Sequence, residues 1–484
     1  MIVADIVSAT LAERRGTGQG APAAARQLRS GSPEHTLPHR TRSAMSTPIS
    51  PPITDPAELV AHFASGARPV SEHRLGLEHE KIAILVDGPA PPHAVIAKIL
   101  GDFVARGWAP IEERGTIIGA THREYGSFTL EPGGQLEHSG APQRTVAEAV
   151  GDNDRHLDEL VTTCATHGVR LLATGFRPLH ALDEIPWMPK GRYDVMRDYL
   201  PRKGRRAHDM MKRTATVQAN VDFTDEADAM AVLRLGQGIS PLVVALFAAS
   251  PLAEGKKTGQ QSYRASAWLE TDPDRCGLLR FVFEPGASFR AYAEWALDVP
   301  MFFVYREDTY HSLAGQDFTF RRFLAEGWRD ARATRDDWER HLSTLFPEVR
   351  LKRYIEVRQA DASTREMVRA LPALWRGVLA TADTRRAAYA LVDGLRWEER
   401  LAAQREVPIH GLRATLGGRP LLPIAKSLVE IAARGLAAVE PDAAPLVAPL
   451  AQIVDEGRSV ADRILERYDA VGGDRAKLVD ALAL

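Results

Sequence analysis

Apolar residues recur along this chain with two different periods, and the period changes from element to element. Residues 75–86, 116–120, 127–131, 135–138, 169–176, 215–223 and 350–357 alternate or run apolar in short stretches, which predicts strands. The alternation is plainest in 215–223, where Val217, Ala219 and Val221 share one side and Gln218, Asn220 and Asp222 the other. Residues 91–106, 145–167 and 225–249 space their apolar positions by three and four and predict helices, the last one largely buried. Asp55 before Pro56 marks the start of a further helix running to about Ser65. Gly168 closes the 145–167 helix. Pro132-Gly133-Gly134 joins 127–131 to 135–138 as a hairpin. After about Ser363 the pattern is helical to the end, with Ala-rich periods near 370–380, 384–404, 424–438 and 445–482. Strands and helices mix without regular βαβ alternation, so the expected fold is α+β on an antiparallel sheet.

Residues 1–52 break the pattern. They are rich in Ala, Arg, Ser, Thr and Pro and hold too little apolar surface to offset ordering entropy. They are expected to form a disordered extension, with Met45 a candidate true start. Residues 53–380 are expected to form the main core and 381–484 a helical region packed on it.

Composition narrows the function classes. A net charge of -2 over 484 residues provides no basic field for general nucleic-acid binding. No apolar run of about 18 residues predicts a membrane span. Two cysteines, Cys164 and Cys276, cannot form a disulfide framework and suit a reducing compartment, taken here as the cytoplasm. A monomer or homodimer is expected.

Three acidic motifs carry the chemistry. Glu78 and Glu80 lie two apart on one strand and share a face. Glu131 and Glu137 flank the Gly-Gly turn. Glu356 and Arg358 share a face in the same way. Taken singly these read as a solvated strand face, an exposed hairpin tip and a salt bridge worth little. If all five glutamates converge, their repulsion calls for cations, and hard oxygen ligands suit Mg2+ and, with it, nucleotide phosphates. The chain has no Walker loop and no dinucleotide glycine fingerprint, so acidic strands and metal would have to hold a nucleotide. Arg264 and Trp268 lie one turn apart if 262–268 is helical, an arrangement that suits a substrate carboxylate. Lys352 and Arg353, just before Glu356, are placed to meet phosphate. The proline-punctuated stretch 185–193 carries Trp187, Lys190, Arg192 and Tyr193 and has the character of a site-lining loop. The histidines are scattered, with no His-X-X-X-His spacing, and no nucleophile elbow is present.

In order, GLEHEK (76–81), LEPGGQLEHSGAP (130–142), EIPWMPKGRYDVM (184–196), TVQANVDF (216–223), SYRASAW (262–268) with TDPDR (271–275), ALDVPMFFVYR (296–306) and FPEVRLKRYIEVRQAD (346–361) closely resemble plant-type glutamate–cysteine ligases. These belong to the glutamine-synthetase-like carboxylate–amine ligases. The resemblance covers about residues 55–380 and continues less distinctly through the helical end. It implies an antiparallel sheet curved into a funnel-shaped active site and surrounded by helices. It also implies ATP-dependent joining of the L-glutamate γ-carboxylate to L-cysteine through a γ-glutamyl phosphate, the first step of glutathione synthesis. Carried over, Glu78, Glu80, Glu131, Glu137 and Glu356 would hold Mg2+. Arg358 would stabilise the transferring phosphoryl group with Lys352 or Arg353. Arg264, Trp268, Gln218 and Asn220 would line the glutamate pocket. The sequence departs from the family at His138, where an apolar residue is usual, at Ala215, in the bulky charged loop 121–125 and at Arg205-Arg206. The departures leave the acceptor open, and a γ-glutamyl ligase for another amine is the alternative. A catalytically dead paralogue would be expected to lack a site carboxylate, and none is missing.

Overall fold

A computed structural model of the chain describes residues 50–86 and 89–484. Most of the stretch expected to be a disordered extension, residues 1–49, lies outside the described residues. Ser50 and Ile53 already dock on the body, through Asp336 and the Ala333 carbonyl.

Nine strands make one open antiparallel sheet. They are β1 (Leu75–Leu85), β2 (Ala109–Glu113), β3 (Thr116–His122), β4 (Gly126–Leu130), β5 (Leu136–Ser139), β6 (Val169–Leu172), β7 (Val217–Val221), β8 (Val349–Leu351) and β9 (Ile355–Val357). Their order is β8-β9-β7-β1-β5-β4-β3-β2, and β6 pairs with the far half of β1. The strands alternate as expected, so one face collects apolar side chains. Leu77, Val217, Ala219, Ile355 and Val357 join one buried core with three helices. These are α6 (Glu226–Leu246), α8 (Arg365–Val378) and α9 (Leu421–Val439), numbered after α1 (Ala57–Ala64), α2 (His93–Ala105), α3 (Val146–Thr166), α4 (Gly191–Tyr199), α5 (Ala207–Arg213) and α7 (Tyr263–Leu269). Phe128, Leu130 and Leu136 meet α2 in a second cluster. Helix α6 is long and apolar enough to cross a membrane by composition, but 89% of its most apolar stretch is buried inside the protein.

Several expected boundaries shift for local reasons. The single strand expected at 350–357 is a hairpin, β8 to β9, because Lys352, Arg353 and Tyr354 turn the chain and the Lys352 amide donates to the Tyr354 carbonyl (2.8 Å). Strand β6 ends at Leu172, short of Phe176. Strand β2 was not foreseen. It is an edge strand with mostly exposed side chains, and so it lacks the alternation that burial imposes. The helix expected at 384–404 is two helices, parted around Gly394, and 445–482 is three, broken at Gly457 and at Gly472-Gly473.

The turn between β4 and β5 needs both glycines. Gly134 has φ +78°, and a Cβ on Gly133 would lie 2.2 Å from the Lys212 carbonyl on α5. Gly133→Ala is therefore expected to lower the unfolding free energy by about 1–3 kcal/mol in urea denaturation. Gly151→Ala, on α3 with nothing within 4 Å of its added Cβ, is expected to leave it unchanged or raise it.

Candidate active site

The sheet face opposite the apolar core carries the charged residues, and strand register brings them together. Glu80 on β1 pairs with Glu137 on β5, which pairs with Thr129 on β4. Glu78 pairs with Gln218 on β7. Asn220 pairs with Glu356 on β9, and Glu356 with Arg350 on β8. Residues about 280 positions apart thus share one surface, because β1 and β9 both flank β7.

The carboxylates divide into two groups. Glu356 is fully buried and receives cations from three directions. Arg350 donates at 2.9 Å, Arg358 at 2.6 Å, and the Lys352 ammonium lies 3.2 Å away. Burial alone would raise its pKa, but Arg350, Lys352 and Arg358 hold it well below the usual carboxylate range. Glu78 and Glu80 are instead pushed toward the protonated form. Glu78 accepts from the Asn220 amide (2.7 Å), and its second oxygen, Oε2, is buried without a hydrogen-bond partner among the described residues. Burial, then the nearby Glu356 and Glu137, raise its pKa to about 7. Glu80 accepts from the Thr216 amide (3.0 Å), and burial with Glu137 and Glu131 pushes its pKa well above the ordinary value. Glu137 is fully buried and accepts from the Thr129 hydroxyl (2.9 Å). Clustered carboxylates with an orphaned buried oxygen are a donor set that fits a hard divalent cation.

A cavity opens beside this face. Glu80, Glu131, Lys190, Arg192, Arg264 and Arg358 give it charge, and Trp268 and Phe346 form an apolar wall. Ser262 caps α7 by accepting from the Ala265 amide, which makes 263–269 helical and sets Arg264 and Trp268 one turn apart, as expected. The Arg264 guanidinium donates to the carbonyls of Arg358 (2.8 Å) and Gln359 (3.1 Å), so it braces the chain that carries Arg358. Arg358 also donates to Gln218 (2.9 Å) and lies 5.6 Å from the Trp268 ring. Gln218 and Asn220 orient charged groups. Lys352 also donates to the Tyr354 hydroxyl (3.0 Å). Arg353, one position out of phase with Lys352, is not among the residues lining the cavity.

Three contributors escaped the sequence reading. Arg350 was legible as a basic residue in phase with Lys352, but only the hairpin puts it opposite Glu356. Thr216 extends the polar phase of Gln218 and Asn220. Asp361, fully buried, receives the Ser250 and Ser262 hydroxyls and the Ala249 amide.

An acidic sheet face beside an arginine-lined cavity fits the carboxylate–amine ligase class that the sequence resemblance implies. Residues 74–481 match the model of glutamate-cysteine ligase family 2, and the chain belongs to that family. It is 38% identical to a chloroplastic glutamate–cysteine ligase of Arabidopsis thaliana over 86% of this chain and 80% of that one. It is 36% identical to chloroplastic glutamate–cysteine ligase A of Oryza sativa subsp. japonica over 92% of this chain and 93% of the relative. A glutamate–cysteine ligase of Francisella tularensis, solved in complex with AMP, has the same fold, with a TM-score of 0.53, 14% identity, and coverage of 85% and 87% of the two chains. The chloroplastic names of the Arabidopsis and rice relatives overturn the expectation of a cytoplasmic protein. Two free cysteines suit any reducing compartment and do not choose among them.

Proposed function

We infer that the protein joins the γ-carboxylate of L-glutamate to the amine of L-cysteine at the expense of ATP, giving γ-glutamylcysteine, ADP and phosphate, the first step of glutathione synthesis. The observation that carries this is the meeting of Glu78, Glu80, Glu137 and Glu356 on one sheet face in a chain that matches the family over residues 74–481. The alternative of another acceptor amine is not favoured, because the relatives above are named for cysteine.

In this reading a glutamate γ-carboxylate oxygen attacks the γ-phosphorus and ADP leaves. The cysteine amine then attacks the γ-carbonyl carbon and phosphate leaves with the bonding electron pair. Glu78, Glu80, Glu131, Glu137 and Glu356 are the proposed holders of Mg2+, which when bound neutralises phosphate charge. Arg358 is proposed to face the transferring phosphoryl group, its orientation fixed by Glu356 and Gln218. Arg264 and Trp268 shape the glutamate end of the cavity, with Gln218 and Asn220 behind them. Lys352 acts through Glu356. Lys190 and Arg192 supply further positive charge at the cavity wall.

Incubation with ATP, Mg2+, glutamate and a panel of amines is expected to give cysteine-dependent ADP release and γ-glutamylcysteine by mass spectrometry. Chelation should abolish turnover and added Mg2+ restore it. ADP release with cysteine no greater than in a no-acceptor control would overturn the assignment.

A further inference from the structure

We propose that the protein has a second, separate metal site, for a borderline transition metal such as Zn2+, formed by His138, Asp152 and His156 on the face of the sheet opposite the carboxylates. All three are buried, and one ligand atom from each lies within 4.8 Å of the others. The sequence reading missed the group because its members do not share a motif. Asp152 and His156 stand one turn apart on α3, while His138 comes from β5, where alternation turns it away from its neighbour Glu137.

A hydrogen bond prepares the His138 imidazole as a ligand. The His138 Nε2 lies 3.1 Å from the Tyr125 carbonyl. A carbonyl only accepts, so Nε2 carries the proton and Nδ1 presents a bare lone pair. That Nδ1 is buried and has no hydrogen-bond partner among the described residues. The His156 Nδ1 lies 2.9 Å from the Asp152 carbonyl and 3.4 Å from Asp152 Oδ1, so the acid and this imidazole meet directly. A backbone carbonyl on the remote ring nitrogen is the usual support of a metal-bound histidine. Asp152 Oδ1 accepts from Arg155 (2.5 Å), so the carboxylate is oriented through one oxygen. Its other oxygen lies near Gly140, where an added Cβ would be 3.3 Å from Oδ2 and 3.6 Å from the His138 ring. The absent side chain keeps the space between the acid and the imidazole open.

Two imidazoles and one carboxylate select against Mg2+, which takes oxygen, and suit zinc or cobalt with a water completing the tetrahedron. A metal here would tie β5, the strand of Glu137, to α3.

The probes are Zn2+ and Co2+ added to chelator-stripped protein in saturating Mg2+. One equivalent of zinc should bind and raise the melting temperature, and cobalt should give the visible bands of a tetrahedral ion. His138→Leu and His156→Gln should weaken zinc binding by about 100-fold or more, in the range set by loss of metal-site groups. Glu356→Gln should bind zinc as the wild type does. Failure of the wild type to bind zinc, absence of tetrahedral cobalt bands, or equal zinc binding by wild type and His138→Leu would each overturn the proposal. The wild-type cobalt spectrum decides the matter even if a variant does not fold. The assay does not depend on ligase activity, so its outcome is independent of the function inferred above.

Discussion

Glu356→Gln is expected to lower kcat by on the order of a thousandfold, about 4 kcal/mol of transition-state stabilisation. The carboxylate is fully buried and is the shared anchor of Arg350, Lys352 and Arg358. Glutamine keeps the volume and one acceptor but removes the charge that three cations share. Arg358, which Glu356 aims along the cavity, then loses a charged partner at 2.6 Å and keeps the neutral Gln218. Glutamine is chosen over alanine because deleting one side of a buried ion pair costs about 3–5 kcal/mol in stability and would confuse the two effects. Steady-state ADP release, measured where urea denaturation shows the variant folded, checks the prediction. Full activity in Glu356→Gln would refute both the metal role and the aiming of Arg358.

The largest stability effect is expected at Asp361. It is fully buried and accepts from the Ala249 amide at 2.9 Å, the Ser250 hydroxyl at 2.6 Å and the Ser262 hydroxyl at 2.8 Å. The Arg264 guanidinium lies 3.8 Å away. Asp361→Ala would leave these three donors without their acceptor and the buried Arg264 without its neighbouring negative charge, so a loss of about 3–5 kcal/mol is expected in urea denaturation. Ser262 also caps α7, so the loss should spread to Arg264 and weaken glutamate use as well. Asp361→Asn should be milder, because one carbonyl oxygen still accepts. Equal midpoints for wild type and Asp361→Ala would show that the network carries no net stability.

Strands and helices that bury one face were legible in the sequence, because burial writes a period of two or of three to four into the side chains. Strand β7 is the clearest case. The edge strand β2 was not legible, because nothing forces its side chains to alternate. The β8–β9 hairpin read as one strand, because both halves are apolar and the three-residue turn holds no glycine or proline. The acidic motifs were legible as same-face pairs, and the family motifs joined them into one expected site. The roles of Arg350, Asp361 and the His138–Asp152–His156 group were not legible, because each depends on a turn or a packing contact that brings its partners together.

What the chain determined by itself was local: which side chains share a strand face, where the Gly133-Gly134 turn must fall, and which family it resembles. Only the tertiary structure decided the strand order β9-β7-β1-β5, and with it that Glu356 faces Arg350 while Glu78 and Glu80 crowd against Glu137 with raised affinity for protons. Side-chain periodicity is set by neighbours one or two residues away. Strand order is set by which apolar faces close over the common core, and that depends on the whole chain at once.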